Sequence, residues 1–151
     1  MPKPLKRHPA LQNLSREHHD ILVFALRLKK GLKKAEIDNI RSYIDWFWKH
    51  YLYVHFQQEE LYLFPITSEA TNLTKKAQEY HEKLEQLFKT NQIEKLHVIK
   101  IYKMLVVYVR FEERKLFPEI QTKLSEYELE IYTKNHQAQL NCPYWDKPFW
   151  K

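Results

Sequence analysis

The sequence contains a single glycine among its 151 residues, whereas proline occurs seven times. The prolines lie near the N-terminus, at the ends of two similar motifs and in the C-terminal segment. Sandwiches and barrels use glycine in their many tight turns, so the near absence of glycine argues against both classes. Long helices joined by few turns suit this composition, and the sequence therefore predicts an all-α fold.

The chain also has only one cysteine, Cys142, and no long hydrophobic run. One cysteine cannot form an internal disulfide, which is typical of a reducing cytoplasm. No apolar stretch approaches the roughly 18 residues of a membrane span, and the first residues, MPKPLKRHPALQNL, lack the apolar segment and cleavage pattern of a signal peptide. We expect a soluble cytoplasmic protein with no membrane partner.

Acidic residues are fewer than basic ones: the chain has 19 acidic and 25 basic residues, which gives a net charge of +6. A basic cluster can bind phosphate. Lysines in the last turn of a helix also complement its dipole, and we favour this solvated role over a nucleic-acid partner for Lys29, Lys30, Lys33 and Lys34. A chain of this length is the size of one domain, so the sequence predicts a single domain over residues 1–151.

Apolar residues recur at helical spacing in four long segments. The first predicted helix is capped by Asn13 or Ser15 and ends near Gly31. The other three predicted helices cover residues 35–64, 73–90 and 93–117. Together the four segments predict an up-and-down four-helix bundle over about residues 11–124.

The last part of the chain, residues 125–151, combines a helix signal with an aromatic tail. Ser125 followed by Glu128 is a capping box, which predicts a short fifth helix that ends near His136. The tail holds four aromatic rings, namely Tyr144, Trp145, Phe149 and Trp150. So many rings are rarely left in water. We expect the tail to pack on the bundle surface or, as the alternative, against a second subunit in a homodimer.

One motif occurs twice, 53 positions apart, as HFQQEELYLFP at residues 55–65 and YVRFEERKLFP at residues 108–118. In the first copy His55 and Glu59 are four residues apart and therefore share one face of a helix. The second copy places Glu112 in register with Glu59 but has tyrosine in place of the histidine. Two such copies predict that the helices carrying them form opposite sides of one site.

The predicted inward faces contain histidines and carboxylates but no lysine or arginine. His18 and His81 lie in the apolar stripes of the first and third helices, and the second helix is predicted to turn His55, Glu59 and Tyr62 inward. A carboxylate in such a stripe is costly unless its charge is compensated. Imidazole with carboxylate suits iron, manganese or zinc, and a carboxylate can bridge two ions. The pattern predicts a metal site, with a hydrogen-bonded core pair of His55 and Glu59 as the alternative.

Several neighbouring residues have competing interpretations. His19 is the inward residue of its pair if the phase of the first helix is shifted by one position. Glu60 and Glu113 project about 100° away from the predicted ligands, and we expect them to be solvated charges. The remaining histidines have no partner at ligand spacing and are predicted to lie at the surface or its boundary: His8, His50, His97 and His136.

The segments REHHDI, HFQQEELYLFP, EYHEKL and RFEERKLFP resemble the hemerythrin-like, or HHE cation-binding, family over about residues 11–124. The resemblance implies a four-helix bundle with a di-iron centre. The ligands that it implies are His18, His55, Glu59, His81 and Glu112, with the two glutamates as bridging carboxylates. Ala77 occupies the position of an additional histidine in the oxygen-carrying hemerythrins. In this family the centre binds dioxygen or related small molecules, stores or senses iron, or responds to redox state and nitric oxide.

Tyr108 stands where the family has its last metal-binding histidine, and three alternatives are open for it. As a phenolate it would ligate ferric iron and give the protein a visible colour. As a protonated phenol it would donate a hydrogen bond to Glu59 or Glu112 and leave one metal with an open position. In the third alternative one metal position is lost, which leaves a mononuclear or metal-free bundle.

The expected function is that of a non-haem metal protein, with di-iron favoured over mononuclear iron, manganese or zinc. Such a protein would bind dioxygen, peroxide or nitric oxide as a carrier, a sensor or an iron-repair factor. No catalytic residue is predicted, and enzyme status stays open because the sequence shows no substrate pocket or reductase motif. The competing hypothesis is a metal-depleted bundle that acts as an interaction or scaffold protein.

Overall fold

The structure is a computed structural model that describes residues 6–67, 71–91, 93–136 and 145–151. All regular elements in these ranges are helical, which confirms the all-α prediction for this part of the chain. The α-helices are α1 (Pro9–Gly31), α2 (Ile37–Phe47), α3 (Tyr53–Gln58), α4 (Thr71–Phe88), α5 (Lys95–Phe111), α6 (Phe117–Lys123) and α7 (Glu126–Asn135). None of them combines the length and apolar character that crossing a bilayer requires. The expectations for Cys142 and Tyr144 lie outside the described residues.

Three π turns interrupt the two helices that carry the duplicated motif. Trp48–Leu52 joins α2 to α3, Glu59–Leu63 follows α3, and Glu112–Leu116 joins α5 to α6. A π turn holds more residues than an α-helical turn, so the positions within and beyond it rotate to a different face. Leu63 is therefore buried whereas Tyr62 is 38% exposed, and the prediction that Tyr62 faces inward is wrong.

α1 begins before the predicted caps. The side chain of His8 accepts a hydrogen bond of 3.0 Å from the backbone N–H of Ala10. Pro9 stands at the first helical position, where its fixed φ is already suited to a helix and its missing N–H costs nothing. The predicted caps at Asn13 and Ser15 are therefore wrong.

The capping box predicted for the fifth helix is confirmed. Oγ of Ser125 accepts from the backbone N–H of Glu128 at 3.1 Å, and Oε1 of Glu128 accepts from the backbone N–H of Ser125 at 3.0 Å. α7 ends at Asn135, next to the predicted end at His136. It packs against α1 and against the second π turn.

The buried apolar residues form two clusters. The first cluster includes Ile21 and Leu105, and the second cluster includes Leu14 and Leu116. Along each long helix buried polar residues lie between residues of the two clusters, and they include His18, Glu59, His81 and Glu112. Because α1 and α4 both pack against α5, the packing brings these polar residues together.

The described part of the C-terminal tail, residues 145–151, packs against α1 and α2. The ring centroids of Trp145, Phe149 and Trp150 lie 5.5, 5.2 and 5.3 Å from that of Tyr43. A Cβ atom at Gly31 would clash with Cε2 of Phe149, so the single glycine of the chain lies where a tail ring meets α1. Residues 145–151 therefore lie on the surface of the packed helices, as one of the two alternatives predicted for the tail.

Replacing Gly31 with alanine is expected to lift the tail rather than unfold the protein. Alanine raises helix propensity by about 1 kcal/mol, but burial of a ring such as Phe149 contributes roughly 2 kcal/mol. We therefore expect the free energy of unfolding, measured in urea, to fall by about 1 kcal/mol. Tryptophan emission should shift to the red because Trp145 and Trp150 become more exposed to solvent. An equal effect of Gly31→Ala in a Phe149→Ala background would show that the clash is not the cause.

Candidate metal centre

Four buried side chains converge between the two apolar clusters. His18 comes from α1, His55 from α3, and Glu59 and Glu112 from the starts of the second and third π turns. One ligand atom of each lies within 4.8 Å of the others, and none of the four side chains is more than 2% exposed. His19 is exposed, so His18 is the inward residue of that pair.

The backbone presents both glutamates in the same way. Each is the first residue of a π turn, at equivalent positions of the two copies of the motif. π turns inside helices are frequent at functional sites. The same backbone distortion at both acidic residues indicates that Glu59 and Glu112 share a role.

In the described part of the chain, each glutamate forms its hydrogen bonds through Oε1 and none through Oε2. Oε1 of Glu59 accepts from the hydroxyl of Tyr108 at 2.7 Å and lies 3.1 Å from Nε2 of His81. Oε1 of Glu112 lies 2.9 Å from Nε2 of His18. Both Oε2 atoms are buried, and no described residue forms a hydrogen bond with either of them. A buried oxygen without a partner is costly, and a metal ion is a partner that fits both atoms.

Histidine is the only type of basic side chain among the described residues that contacts these carboxylates. In the described part of the chain, Glu59 forms ion pairs with His55 at 3.3 Å and His81 at 3.1 Å, and Glu112 lies 2.9 Å from Nε2 of His18. No described lysine or arginine takes part in them. The prediction that the inward faces carry only histidine as a cationic residue agrees with this arrangement.

A further carboxylate holds the outer nitrogen of each histidine. Nδ1 of His18 lies 2.8 Å from Glu113, and Nδ1 of His81 lies 2.7 Å from Glu60. The prediction that Glu60 and Glu113 are solvated is therefore wrong, since their side chains are 26% and 29% exposed. The π turn that begins one residue earlier widens each helix and lets these side chains reach a neighbouring helix. Outer carboxylates of this kind orient histidine toward a metal.

Glu17 is a site residue that the sequence pattern did not single out. It is fully buried, and its Oε1 lies 2.9 Å from Nδ1 of His55. Its Oε2 lies 3.6 Å from Nε2 of His136, whose side chain is only 2% exposed. The sequence predicts that His136 lies at the surface or its boundary; the residue has intermediate burial, and its side chain is turned inward where α7 packs against α1. A signal for Glu17 did exist, since it lies three residues after Leu14 and four before Ile21, which is the spacing of the buried stripe.

The paired histidines favour the charged form. Burial opposes a charged His55, but Glu59 and Glu17 outweigh it and raise the pKa of His55 to about 10. The same balance, with Glu59 and Glu60, raises the pKa of His81 to about 9. Burial also opposes a charged Glu59, yet His55 and His81 hold the pKa of this carboxyl well below its usual range.

Glu112 and His18 favour their neutral forms. Burial and the nearby Glu59 carboxylate raise the pKa of Glu112 well above its usual range. Burial lowers the pKa of His18, although Glu113 partly offsets this effect. A neutral His18 that donates from Nδ1 to Glu113 offers its Nε2 lone pair toward Glu112, and this neutral form is the one that binds a metal.

Tyr108 and His81 lie beside the four-residue group. The hydroxyl of Tyr108 donates to Glu59 and lies 3.1 Å from Nε2 of His55, from which it accepts. Burial, together with Glu112 and Glu59, raises the pKa of Tyr108 well above its usual range, so the phenol keeps its proton. This geometry agrees with the alternative in which Tyr108 is a hydrogen-bond donor.

The ligand set and its surroundings define what this cluster can bind. Imidazole nitrogen and carboxylate oxygen suit iron, manganese or zinc, and carboxylates can bridge two ions. The outer carboxylates hold the imidazoles in position, which favours a preformed site. Neither a protein-family model nor a curated protein nor a solved structure matches the chain.

Proposed function

We propose that this chain is a hemerythrin-like protein that binds non-haem iron between its helices. His18, His55, Glu59 and Glu112 would hold the first ion. The observation that carries the proposal is the pair of buried Oε2 atoms of Glu59 and Glu112, which have no hydrogen-bond partner among the described residues and belong to the same cluster as two imidazoles. An ion would take the place of the protons that His55 and Glu112 hold in the metal-free chain, and its binding free energy would become folding free energy.

The order of buried residues along the chain supports an up-and-down four-helix bundle of the hemerythrin type. α1 runs from the second cluster at Leu14 to the first at Ile21, and α3 with its π turn runs from the first at Phe56 to the second at Leu63. α4 runs from the second cluster at Ala77 to the first at Leu84, and α5 with its π turn runs from the first at Leu105 to the second at Leu116. Bundles whose helices alternate around one polar layer build metal sites from the facing side chains.

A second ion, as in a di-iron centre, would have fewer protein ligands. His81 would bind it together with Glu59 and Glu112 as bridging carboxylates. Tyr108 and Ala77 stand where the family resemblance leads us to expect further histidines. We therefore propose two unequal positions, a strong one with four protein ligands and a weak one at His81.

The proposed physiological ligand is a small molecule, namely dioxygen, peroxide or nitric oxide. Bound iron supplies redox chemistry and an open coordination position for such a molecule. The chain shields the site with aromatic rings, because Phe56 stacks on His81 at 3.9 Å and Phe117 stacks on His18 at 5.4 Å. The buried hydroxyl of Tyr108 donates to Glu59 and so holds this carboxylate in position.

Anaerobic loading with Fe²⁺ tests the proposed function. After chelator-free purification and loading, we expect about one tightly bound iron per chain and a second, weaker equivalent. Addition of nitric oxide should then produce an electron paramagnetic resonance signal that metal-free protein lacks. A chain that retains no iron, manganese or zinc would overturn the proposal and favour the metal-depleted scaffold protein.

Metal affinity is expected to rise with pH. Below about pH 10 the folded chain holds a proton on His55, and the raised pKa of Glu112 keeps a proton there as well. An ion at these residues must displace both protons, so the affinity for Fe²⁺ should rise by roughly ten- to 100-fold per pH unit between about pH 6 and pH 8. Chelator competition at several pH values measures this slope. A flat profile would show that neither residue is a ligand.

A further inference from the structure

Two open grooves flank the outer face of α5. Their lining includes none of the candidate metal ligands. The first lies between α4 and α5, has a volume of about 640 Å³, and has Leu87 and Met104 in its lining. The second lies between α1 and α5 and has a volume of about 480 Å³. Lys103 and Val107 line both grooves. The two grooves therefore form one surface, which we call the double groove.

The double groove exposes apolar side chains to solvent. Leu22 is 37% exposed, Leu26 is 49% exposed and Val107 is 47% exposed. Clustered exposed apolar residues rimmed by polar ones mark interaction sites more often than scattered single ones do. Met104 adds an unbranched side chain that adapts to the shape of a partner.

The polar residues around these apolar side chains carry charge of one sign. The first groove is lined by Lys83, Lys100 and Lys103, and the second adds Lys29 and Arg110. No carboxylate is among the described residues that line either groove, although the chain contains 19 acidic residues. A cationic rim around an apolar floor complements a partner that is apolar in the centre and acidic at its edges.

We propose that the double groove docks an acidic amphipathic helix of a partner protein. The lining of the first groove extends over residues 80–87 of α4 and 100–107 of α5, which is about two helical turns or roughly 10 Å. A helix that presents apolar residues at positions i, i+4 and i+7 fills a groove of this length. Glutamate or aspartate on either flank of that helix would then face the lysines.

Other occupants fit the double groove less well. Small-molecule sites enclose most of their ligand, whereas both grooves are open along their length. An anionic membrane is flat on this scale and would leave the concave floor unfilled. A symmetric contact with a second copy of the chain would place the same lysines against each other.

Fluorescence anisotropy with a labelled synthetic peptide tests the docking surface. The probe is a helical peptide of about 18 residues, or roughly 27 Å, with leucine on one face and glutamate on both flanks. We expect saturable binding that weakens as salt increases, and no binding of the same peptide with lysine in place of glutamate. Lys103→Glu and Lys83→Glu should each weaken binding by about tenfold. Lys49→Glu, at an exposed residue outside both grooves, is the charge-matched control and should leave binding unchanged.

The outcomes separate docking of a helix from its competitors. Equal binding of the acidic and basic peptides, or equal effects of Lys103→Glu and Lys49→Glu, would overturn the proposal. Binding to phosphatidylglycerol vesicles without binding to the acidic peptide would assign the surface to a membrane instead. A concentration-dependent dimer that Lys103→Glu abolishes would assign it to a second copy. Iron content and thermal unfolding of each variant show whether its fold and metal site are intact.

Discussion

Replacing Glu59 with glutamine is expected to abolish tight metal binding. Oε1 of Glu59 accepts from Tyr108 and lies within 3.3 Å of Nε2 of both His55 and His81, and its Oε2 is buried without a described hydrogen-bond partner. A neutral amide has neither the charge nor the second oxygen of a bridging carboxylate. We expect the affinity for Fe²⁺ to fall by more than about 100-fold, which exceeds the loss expected from changing an outer partner alone.

The same substitution is expected to destabilise the metal-free protein. His55 and His81 would lose the carboxylate that outweighs burial and raises their pKa values to about 10 and about 9. Buried groups that lose their charge partner cost about 3 kcal/mol of unfolding free energy, which urea denaturation near neutral pH measures.

A matched control separates a ligand from a general effect of charge removal. Glu130→Gln changes an exposed glutamate on α7 and should alter neither iron affinity nor stability. Unchanged iron affinity in Glu59→Gln would show that Glu59 is not a ligand. Equal losses in the two variants would trace the effect to net charge.

Replacing Tyr108 with histidine is expected to create a second tight metal position. The phenol of Tyr108 keeps its proton because burial and the nearby glutamates raise its pKa well above the usual range. A neutral imidazole at the same position has a lone pair for a metal, beside His81 and the free oxygen of Glu59. We expect tightly bound iron to rise from about one to about two ions per chain, as measured by elemental analysis and by titration against a chelator.

Tyr108→Phe is the control for this gain. Phenylalanine removes the hydroxyl that donates to Glu59 without adding a ligand, so the number of tight iron equivalents should stay at about one. Two tight equivalents already present in the unchanged chain would contradict the unequal positions proposed here. No gain with histidine would show that the side chain at position 108 does not reach an ion.

Much of the candidate centre follows from repetition in the sequence. The two copies of the motif place Glu59 and Glu112 at the same position, four residues after His55 and Tyr108. Because these glutamates lie in apolar stripes, the sequence predicts that they are buried. His18 and His81 could be found in the same way, because helical spacing along one element shows which residues share a face. The structure buries all five residues and brings His18, His55, Glu59 and Glu112 into one cluster, with His81 beside them.

The errors of prediction arise from contacts between helices and from π turns within them. Glu60, Glu113 and Glu17 contact histidines on other helices, and no spacing within a single helix encodes such a contact. The exposure of Tyr62 follows from a π turn, which the 3.6-residue period does not show. The inward turn of the His136 side chain follows from the packing of α7 on α1.

The sequence by itself determined the helical class, the repeated acidic motif and the faces on which the candidate ligands lie, because these features depend on neighbours along the chain. Only the tertiary structure decided that Tyr108 donates to Glu59, that each of three histidines has an outer carboxylate, and that Oε2 of Glu59 and of Glu112 has no described partner. The reason is that a hydrogen bond between helices depends on how each helix rotates and packs against the next.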